Sequence, residues 1–220
     1  MRMRHKRWAA GELKDSKIFI DNPLKYTDRW SLLFGNDAPI YLELGCGKCL
    51  FLSEYAPKNP DKNFIAVDLI TDILAVAHRN VTGSYASLCA HTSNILLVPY
   101  DVTRISNLFS HHSSVDGIYI NFPNPWPKER HKKRRLTHPR QLLQYREFLS
   151  DEGFLHLKTD DDSLFADSRR YFSECGYKIV SCSDDLLADR PSDVFPPTEH
   201  EKYYIGLGKK IKYIKAAKNV

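Results

Sequence analysis

A basic run that directly follows an apolar strand is the part of this chain most suggestive of chemistry. Residues 118–127 read Ile-Tyr-Ile-Asn-Phe-Pro-Asn-Pro-Trp-Pro, and residues 128–135 then supply six lysines and arginines. Strand ends deliver side chains to the carboxyl edge of a sheet, where open α/β proteins bind their ligands. The stretch therefore indicates a reaction centre beside a clamp for a polyanion. The alternative interpretation is a solvated, charged loop.

The positive charge is concentrated in three segments. The chain has 32 Lys+Arg against 27 Asp+Glu, a formal net charge of +5. Residues 1–7, residues 128–135 and the tail from Lys209 together hold 15 cations and one acid, which leaves 17 cations against 26 acids elsewhere. An acidic body with concentrated basic segments suits a phosphate-rich partner.

Length and composition indicate one large globular domain. The chain has 220 residues, of which 42% are hydrophobic and 27% charged, and it contains no apolar run of the roughly 20 residues that cross a bilayer. We predict a basic, mobile segment over residues 1–30 and a single domain over residues 31–220 that ends in a mobile lysine-rich tail. The amino terminus has no apolar core of a signal peptide. We expect a cytoplasmic monomer that does not associate with membranes.

The five cysteines are scattered and odd in number, which favours reduced thiols over a disulfide framework. Cys46 and Cys49 have the C-x-x-C spacing of zinc and redox sites. A structural zinc needs four ligands, and no second closely spaced Cys or His pair completes such a set. We therefore predict no metal site.

Strand and helix patterns alternate along the chain. Short apolar runs predict strands over residues 40–44, 63–69, 94–100, 115–122, 153–159, 177–181 and 202–207. Helical spacing is found over residues 48–56, 71–90, 139–149 and 161–175. Strands separated by helices of this length predict an α/β fold with a mostly parallel sheet covered by helices on both faces.

The ends of the first three predicted strands carry the features of a nucleoside pocket. Gly45 and Gly47 permit a tight turn in which backbone N–H groups approach a ligand, although a turn without a ligand would have the same pattern. Asp68 ends the second strand, where a carboxylate can accept both hydroxyls of a ribose. Asp101 ends the third strand, where it can accept from an adenine amino group.

The loop composition favours S-adenosylmethionine over NAD. The run Gly-Cys-Gly-Lys-Cys lacks the third glycine of the dinucleotide fingerprint. Glu43, just before the loop, would repel a diphosphate but suits a cofactor that carries an ammonium group.

The chain resembles the tRNA (guanine-N7-)-methyltransferase family. The resemblance is carried by residues 122–136, Phe-Pro-Asn-Pro-Trp-Pro-Lys and the basic run, by residues 154–160, Phe-Leu-His-Leu-Lys-Thr-Asp, and by residues 198–201, Thr-Glu-His-Glu. It covers roughly residues 38–208. It implies the Rossmann-like class I methyltransferase fold, a seven-stranded sheet with an antiparallel last strand, and methyl transfer to N7 of a guanosine in the tRNA variable loop.

The resemblance also implies site residues, position by position. The acids and glycines for the cofactor are Glu43, Gly45, Gly47, Asp68 and Asp101, and Asn124 matches a position that serves both cofactor and catalysis. The matches to substrate and RNA positions are Lys128, Arg130, His131, Lys132, Lys133, Arg134, Arg135, Asp160, Thr198, Glu199, His200 and Glu201.

This chain departs from the family pattern at three positions. An aspartate is usual where Asn124 stands, a glycine where Cys49 stands, and an aromatic residue where His200 stands. Guanine N7 has a lone pair and no proton, so its attack on a sulfonium methyl needs no general base, only alignment and stabilisation of the cationic product. Asn124 keeps an acceptor oxygen but lacks the charge, which Asp160 or Glu201 would supply if they converge on the pocket.

Three alternatives stay open from the sequence. Trp126 is either a stacking platform for a base or a structural plug among prolines. The enzyme could act on another RNA or on a small molecule, and the basic run argues against the small molecule. A non-enzymatic interpretation is an RNA-binding protein with a degenerate pocket, motivated by Asn124.

Overall fold

The computed structural model describes residues 6–189 and 199–218, except for the side chains of residues 199 and 200. Seven strands are present in this part of the chain. They are β1 Ile40–Leu44, β2 Asn63–Asp68, β3 Ile95–Pro99, β4 Val115–Asn121, β5 Leu149–Thr159, β6 Tyr177–Ser183 and β7 Lys212–Lys218. They form one sheet in the order β3-β2-β1-β4-β5-β7-β6.

The helices precede, connect and follow these strands. They are α1 Ala9–Lys14, α2 Ser31–Phe34, α3 Leu50–Tyr55, α4 Thr71–Ser87, α5 Pro139–Phe148, α6 Asp162–Glu174, α7 Leu186–Asp189 and α8 Glu199–Gly206. A 3₁₀ helix over Glu129–Arg134 carries most of the basic run. No helix within the described ranges has the length and apolar character that crossing a bilayer requires.

The sheet is parallel except at one strand. β1 pairs in parallel with both β2 and β4, and β4 pairs in parallel with β5. β7 lies between β5 and β6 and is antiparallel to both. The predicted α/β class, the mostly parallel seven-stranded sheet and the antiparallel last strand are therefore confirmed.

Side chains of alternate strand residues enter two cores on opposite faces of the sheet. Leu42 of β1 packs in one core with Phe172 of α6. Phe64 of β2 packs in the other core with Leu74 of α4. Both faces are covered by helices, as the alternation of strands and helices predicted.

The predicted position of the last strand was wrong. Residues 202–206 belong to helix α8, Leu207 lies in the turn that follows, and the last strand is Lys212–Lys218. The lysines of β7 made it look like a solvated tail, yet Tyr213, Ile214 and Ala216 are fully buried within the sheet. The aliphatic stems of lysines can follow a buried strand while their ammonium groups reach the surface.

Aspartates of the domain neutralise most of the lysine-rich tail. The pairs are Lys209–Asp160 at 3.0 Å, Lys210–Asp185 at 3.5 Å, Lys212–Asp162 at 2.9 Å and Lys218–Asp151 at 2.9 Å. These lysines therefore have carboxylate partners on the same chain, and the tail contributes less to a basic footprint than its composition suggested.

The described part of the amino-terminal segment packs against the domain. Ala9 and Leu13 of α1 are buried against Ala75 of α4. The ring of Trp30 stacks on Phe109 at 5.2 Å, and its Nε1–H donates to the carbonyl of Leu108 at 3.2 Å. This segment was expected to be mobile, and in the structure its Phe19 also forms a parallel bridge with Leu97 of β3, an outer strand of the sheet.

Candidate active site

The site residues gather where the strand order reverses. The chain runs from β1 through β2 to β3 on one side and then crosses to β4 on the other side of β1. The crevice outside the carboxyl ends of β1 and β4 is thus the topological switch point, where α/β sheets bind ligands.

The glycine loop after β1 is held by Asp68. Gly45 and Gly47 have φ values of +73° and +54°, a region that residues with a Cβ rarely adopt. The Gly47 N–H donates to Oδ2 of Asp68 at 2.9 Å, and the Ile70 N–H donates to Oδ1 at 3.0 Å. Asp68 therefore ties the loop after β1 to the end of β2, which brings two of the predicted cofactor positions together.

Glu43 is a buried carboxyl with one unsatisfied oxygen. The side-chain amide of Asn121 donates to its Oε1 at 3.1 Å. Its Oε2 has no hydrogen-bond partner within the described ranges. Burial raises the pKa of Glu43 to about 8, while the bond from Asn121 opposes the shift. A buried carboxyl with a spare oxygen is suited to a ligand that brings a positive charge.

Glu43 and the glycine loop share one cleft with the end of β4. The cleft has a volume of about 280 Å³. Its lining residues are Glu43, Gly45, Cys46, Gly47, Lys48, Leu50, Phe51, Ile73, Asn121 and Phe122. Sequence reasoning missed Asn121 because it was taken as one more residue of an apolar strand. A polar amide directly after the apolar residues Ile-Tyr-Ile was the feature of the sequence that could have identified it as a site residue.

Asp68, whose bonds hold the glycine loop, lies outside the lining of this cleft, and so do two further predicted cofactor residues. Asp101 follows β3, and its Oδ1 accepts from the N–H and the hydroxyl of Thr103 at 2.9 and 2.8 Å. Asn124 is exposed, and its Oδ1 accepts from the N–H of Trp126 at 3.1 Å. In the structure both side chains shape local turns.

The turn over residues 122–126 connects the cleft to the basic run. Phe122, which lines the cleft, has a φ of +48°, donates its N–H to the carbonyl of Lys158 at 2.8 Å and stacks on Tyr204 of α8 at 6.0 Å. At the other end, Trp126 has a φ of +44°. Two non-glycine residues in the left-handed region mark this turn as a strained segment that its surroundings hold in place.

Trp126 is half-buried and lies under the basic run. The guanidinium of Arg134 lies over its ring, 5.0 Å from the centroid, and the ring of His131 meets it edge-on at 5.7 Å. A cation over an aromatic face is a favourable contact. The ring is therefore in contact with the basic run and is partly exposed.

The basic run divides into exposed and internal side chains. Lys128, Arg130, Lys133 and Arg134 are exposed, and His131 and Lys132 are half-buried. Lys132 pairs with Glu129 at 2.9 Å and with Asp167 of α6 at 3.0 Å. Arg135, predicted as an RNA contact, is fully buried and has no surface for a phosphate.

The carboxylates that were expected to replace the missing aspartate both have ammonium partners. Lys158 places its Nζ 3.0 Å from each oxygen of Glu201, and both side chains are buried. Asp160 accepts from Lys209 at 3.0 Å. Glu201 lies on α8, which Glu199 and His200 begin, and Thr198 lies outside the described residues.

The two cysteines of the glycine loop are buried thiols. Burial raises the pKa of Cys46, and the neighbouring Cys49 adds to the shift. No group of three or more His, Cys, Asp or Glu side chains in the described residues is placed to hold a metal ion.

Comparisons with known proteins agree with this architecture. A family profile described as "Putative methyltransferase" matches residues 37–214. The tRNA (guanine-N(7)-)-methyltransferase of Clostridium beijerinckii is 48% identical over 220 residues, which is 100% of both chains. The protein of the same name from Acetivibrio thermocellus is 45% identical, over 99% of this chain and 100% of that one.

Solved methyltransferase structures share the fold at low sequence identity. The 16S rRNA methyltransferase KamB matches with a TM-score of 0.62 and 11% identity, covering 87% of this chain and 93% of that chain. An antibiotic-related methyltransferase matches with a TM-score of 0.61 and 14% identity, covering 88% and 94%. These two likenesses concern the fold alone.

Proposed function

We propose a function from the premise that this chain belongs to the tRNA (guanine-N(7)-)-methyltransferase family. It transfers a methyl group from S-adenosylmethionine to N7 of a guanosine in the tRNA variable loop, in the cytoplasm. The observation that carries the proposal is the turn over residues 122–126. Phe122 at one end lines the cofactor cleft, and Trp126 at the other end lies under the cationic surface. One short segment thus joins a pocket for a charged cofactor to a surface for a polyanion.

The cleft fits S-adenosylmethionine. The unsatisfied Oε2 of Glu43 offers a buried acceptor for the ammonium of the methionyl group. Asp68 accepts the ribose hydroxyls with the lone pairs that remain after its two backbone bonds, and Asp101 accepts from the adenine amino group. When bound, the cofactor supplies an electrophilic methyl group on a sulfonium. Gly45 and Gly47 keep the loop backbone close to it.

The protein has to align the guanine rather than activate it. N7 carries a free lone pair, so no side chain needs to remove a proton. The base becomes cationic during transfer, and a group that offsets this charge accelerates the reaction. Asn124 offers an oxygen without a charge, and Asp160 and Glu201 are already paired with lysines. We infer that this chain stabilises the cationic base only weakly. Its rate acceleration therefore depends more on alignment of the reacting atoms.

The exposed cations of the basic run bind the tRNA backbone. Lys128, Arg130, Lys133 and Arg134 contact phosphates, with His131 and Lys132 at their border. Trp126 offers a partly open aromatic face to an unstacked base, worth about 1–3 kcal/mol where such stacking occurs. The family match extends the proposed substrate contacts to Asp160, which follows β5, and to Glu201 of α8, and also to Thr198, Glu199 and His200.

A methyl-transfer assay tests the proposal. The protein is incubated with labelled S-adenosylmethionine and unmodified bulk tRNA, and the nucleosides are then separated. We expect 7-methylguanosine as the labelled product. Binding of cofactor and tRNA without transfer would support the alternative of an RNA-binding relative with weakened catalysis, for which Asn124 is the specific reason. Absence of cofactor binding in calorimetry would contradict the pocket assignment.

A further inference from the structure

Arg135 is the most heavily bonded side chain of the basic run. Its Nε donates to the carbonyl of Pro125 at 2.6 Å, its Nη1 to Oδ2 of Asp167 at 2.7 Å and its Nη2 to the hydroxyl of Ser163 at 3.3 Å. Its side chain is 0% exposed. A buried guanidinium with its charge paired and its donors engaged is a structural element of the protein interior.

These bonds join three segments that are separate in sequence. Pro125 is the residue between Asn124 and Trp126 in the turn that leads out of the cleft. Ser163 and Asp167 lie on α6, and Arg135 itself follows the basic 3₁₀ helix. The bond to Pro125 is made to the backbone, so it positions the turn itself whatever its side chains are.

Asp167 is the shared anchor of this arrangement. It accepts from Arg135 at 2.7 Å and from Lys132 at 3.0 Å, so the middle and the carboxyl end of the 3₁₀ helix are attached to α6. Burial alone would raise the pKa of Asp167, but the bonds from Lys132 and Arg135 hold it below its ordinary value. The carboxylate is therefore ionised at neutral pH and available to both cations.

We propose that Arg135 is a positioning residue: it clamps the turn over residues 122–126 and the basic 3₁₀ helix onto α6 and so sets the distance between bound tRNA and the cofactor cleft. This inference rests on the proposed function. It assigns Arg135 to the alignment of the reacting atoms and removes it from the phosphate contacts. Since catalysis here depends on alignment, a displacement of about 1 Å is expected to cost on the order of 100-fold in rate.

Arg134 provides a matched control, because it is the adjacent arginine and is exposed. Arg134→Gln and Arg135→Gln remove the same charge from the same run. tRNA affinity is measured as a function of salt, and the single-turnover rate is measured at saturating tRNA and cofactor. We expect Arg134→Gln to weaken binding and to reduce the salt slope by about 0.7–0.9, the value of one phosphate contact. We expect Arg135→Gln to keep the slope and to lower the saturated rate by 10- to 100-fold.

A second pair of variants covers the case in which Arg135→Gln does not fold. Asp167→Asn keeps every cation of the run and removes only the charged anchor, so it should show the same lowered rate with an unchanged slope. Arg135→Lys keeps the charge but cannot reproduce all three bonds at once, because an ammonium lacks the planar fork of a guanidinium. Its rate should lie between those of the wild type and Arg135→Gln.

Limited trypsin digestion gives a readout that needs no activity. Asp167→Asn retains all the cleavage sites of residues 128–135, so faster cleavage there than in the wild type reports release of the clamped segment. Unchanged cleavage in Asp167→Asn, or a flattened salt slope with a wild-type saturated rate in Arg135→Gln, would overturn the inference. A wild-type protein that transfers no methyl group would instead contradict the proposed function, while the digestion still tests the clamp.

Discussion

The side-chain amide of Asn121 donates a hydrogen bond to Oε1 of Glu43 over 3.1 Å and thereby joins the carboxyl ends of β4 and β1. This bond orients a carboxyl that is buried at the end of β1. It leaves Oε2 as the buried acceptor in the cleft. The two strands on either side of the switch point therefore build the cofactor site together.

Asn121→Ala should weaken binding of S-adenosylmethionine by about 1–3 kcal/mol, because Glu43 would lose the donor that orients it and favours its charged form. Calorimetry at neutral pH measures the effect. Asn59→Ala is the control. Asn59 lies before β2, at the amino ends of the strands and away from the cleft, and its side-chain amide donates to the carbonyl of Tyr55. Equal cofactor affinity in wild type and Asn121→Ala would show that this bond does not serve the site.

Glu43 should make the free protein less stable as pH rises. Its folded-state pKa of about 8 lies above its ordinary value of 4.5. Between these values the folded chain holds a proton that the unfolded chain has released, so the free energy of unfolding falls with increasing pH. Glu43→Gln removes this dependence. The Tm of the variant minus the Tm of the wild type should therefore increase from pH 5 to pH 8. A constant difference in Tm across that range would contradict the raised pKa.

Asp68→Ala should weaken cofactor binding by about 1–3 kcal/mol while tRNA affinity stays the same. Two losses combine, because the ribose hydroxyls lose a charged acceptor and Gly47 loses the bond that fixes its loop. Calorimetry with cofactor and a filter-binding titration with tRNA separate the two affinities. If the cofactor affinity of the variant matched that of the wild type, the ribose would have to lie elsewhere.

The sequence was sufficient to locate the strand ends of the candidate site. Glu43 and Asp68 lie at the carboxyl ends of β1 and β2, as the apolar runs before them indicated, and their roles toward a cofactor stay predictions. Arg135 was misread because its partners, Asp167 and Ser163, lie 32 and 28 residues away and only the fold brings them to it. A basic run has the same local pattern whether its members face solvent or the interior.

The last strand shows the same limit. Residues 202–207 are aromatic and apolar enough for a strand, but residues 202–206 belong to helix α8, and Glu201 of that helix pairs with Lys158 of β5. β7 is rich in lysine and nevertheless occupies an interior position between β5 and β6, because aspartates along the domain surface accept its ammonium groups. Tertiary pairing therefore overrode local propensity in both segments.

Replacing Arg130, Lys133 and Arg134 by alanine should weaken tRNA binding and flatten its salt dependence. Each lost phosphate contact should reduce the slope by about 0.7 on a single strand or about 0.9 on a duplex. The control removes the same number of charges from the tail, at Lys209, Lys210 and Lys218, which are paired with aspartates. Equal salt slopes for the wild type and the variant of the basic run would support the alternative interpretation that the run is a solvated loop.

Asn124→Asp should raise the single-turnover rate and leave both affinities nearly constant. The added carboxylate offsets a charge that appears only as the guanine becomes cationic, so its effect belongs to the transition state. One group aimed at developing charge is typically worth about 2.7–4 kcal/mol. Rapid-quench measurements with excess enzyme test this. A rate that is equal or lower would show that the amide is adapted to this pocket.

Transfer to N7 is the central claim, and 7-deazaguanosine tests it most directly because it replaces that nitrogen with carbon. Two transcripts of the same tRNA, one with guanosine and one with 7-deazaguanosine, are incubated with the protein and labelled S-adenosylmethionine. A gel-shift titration first establishes that both transcripts bind. We predict label in the guanosine transcript alone, recovered as 7-methylguanosine. Equal labelling of both transcripts, or labelling of neither, would contradict the account.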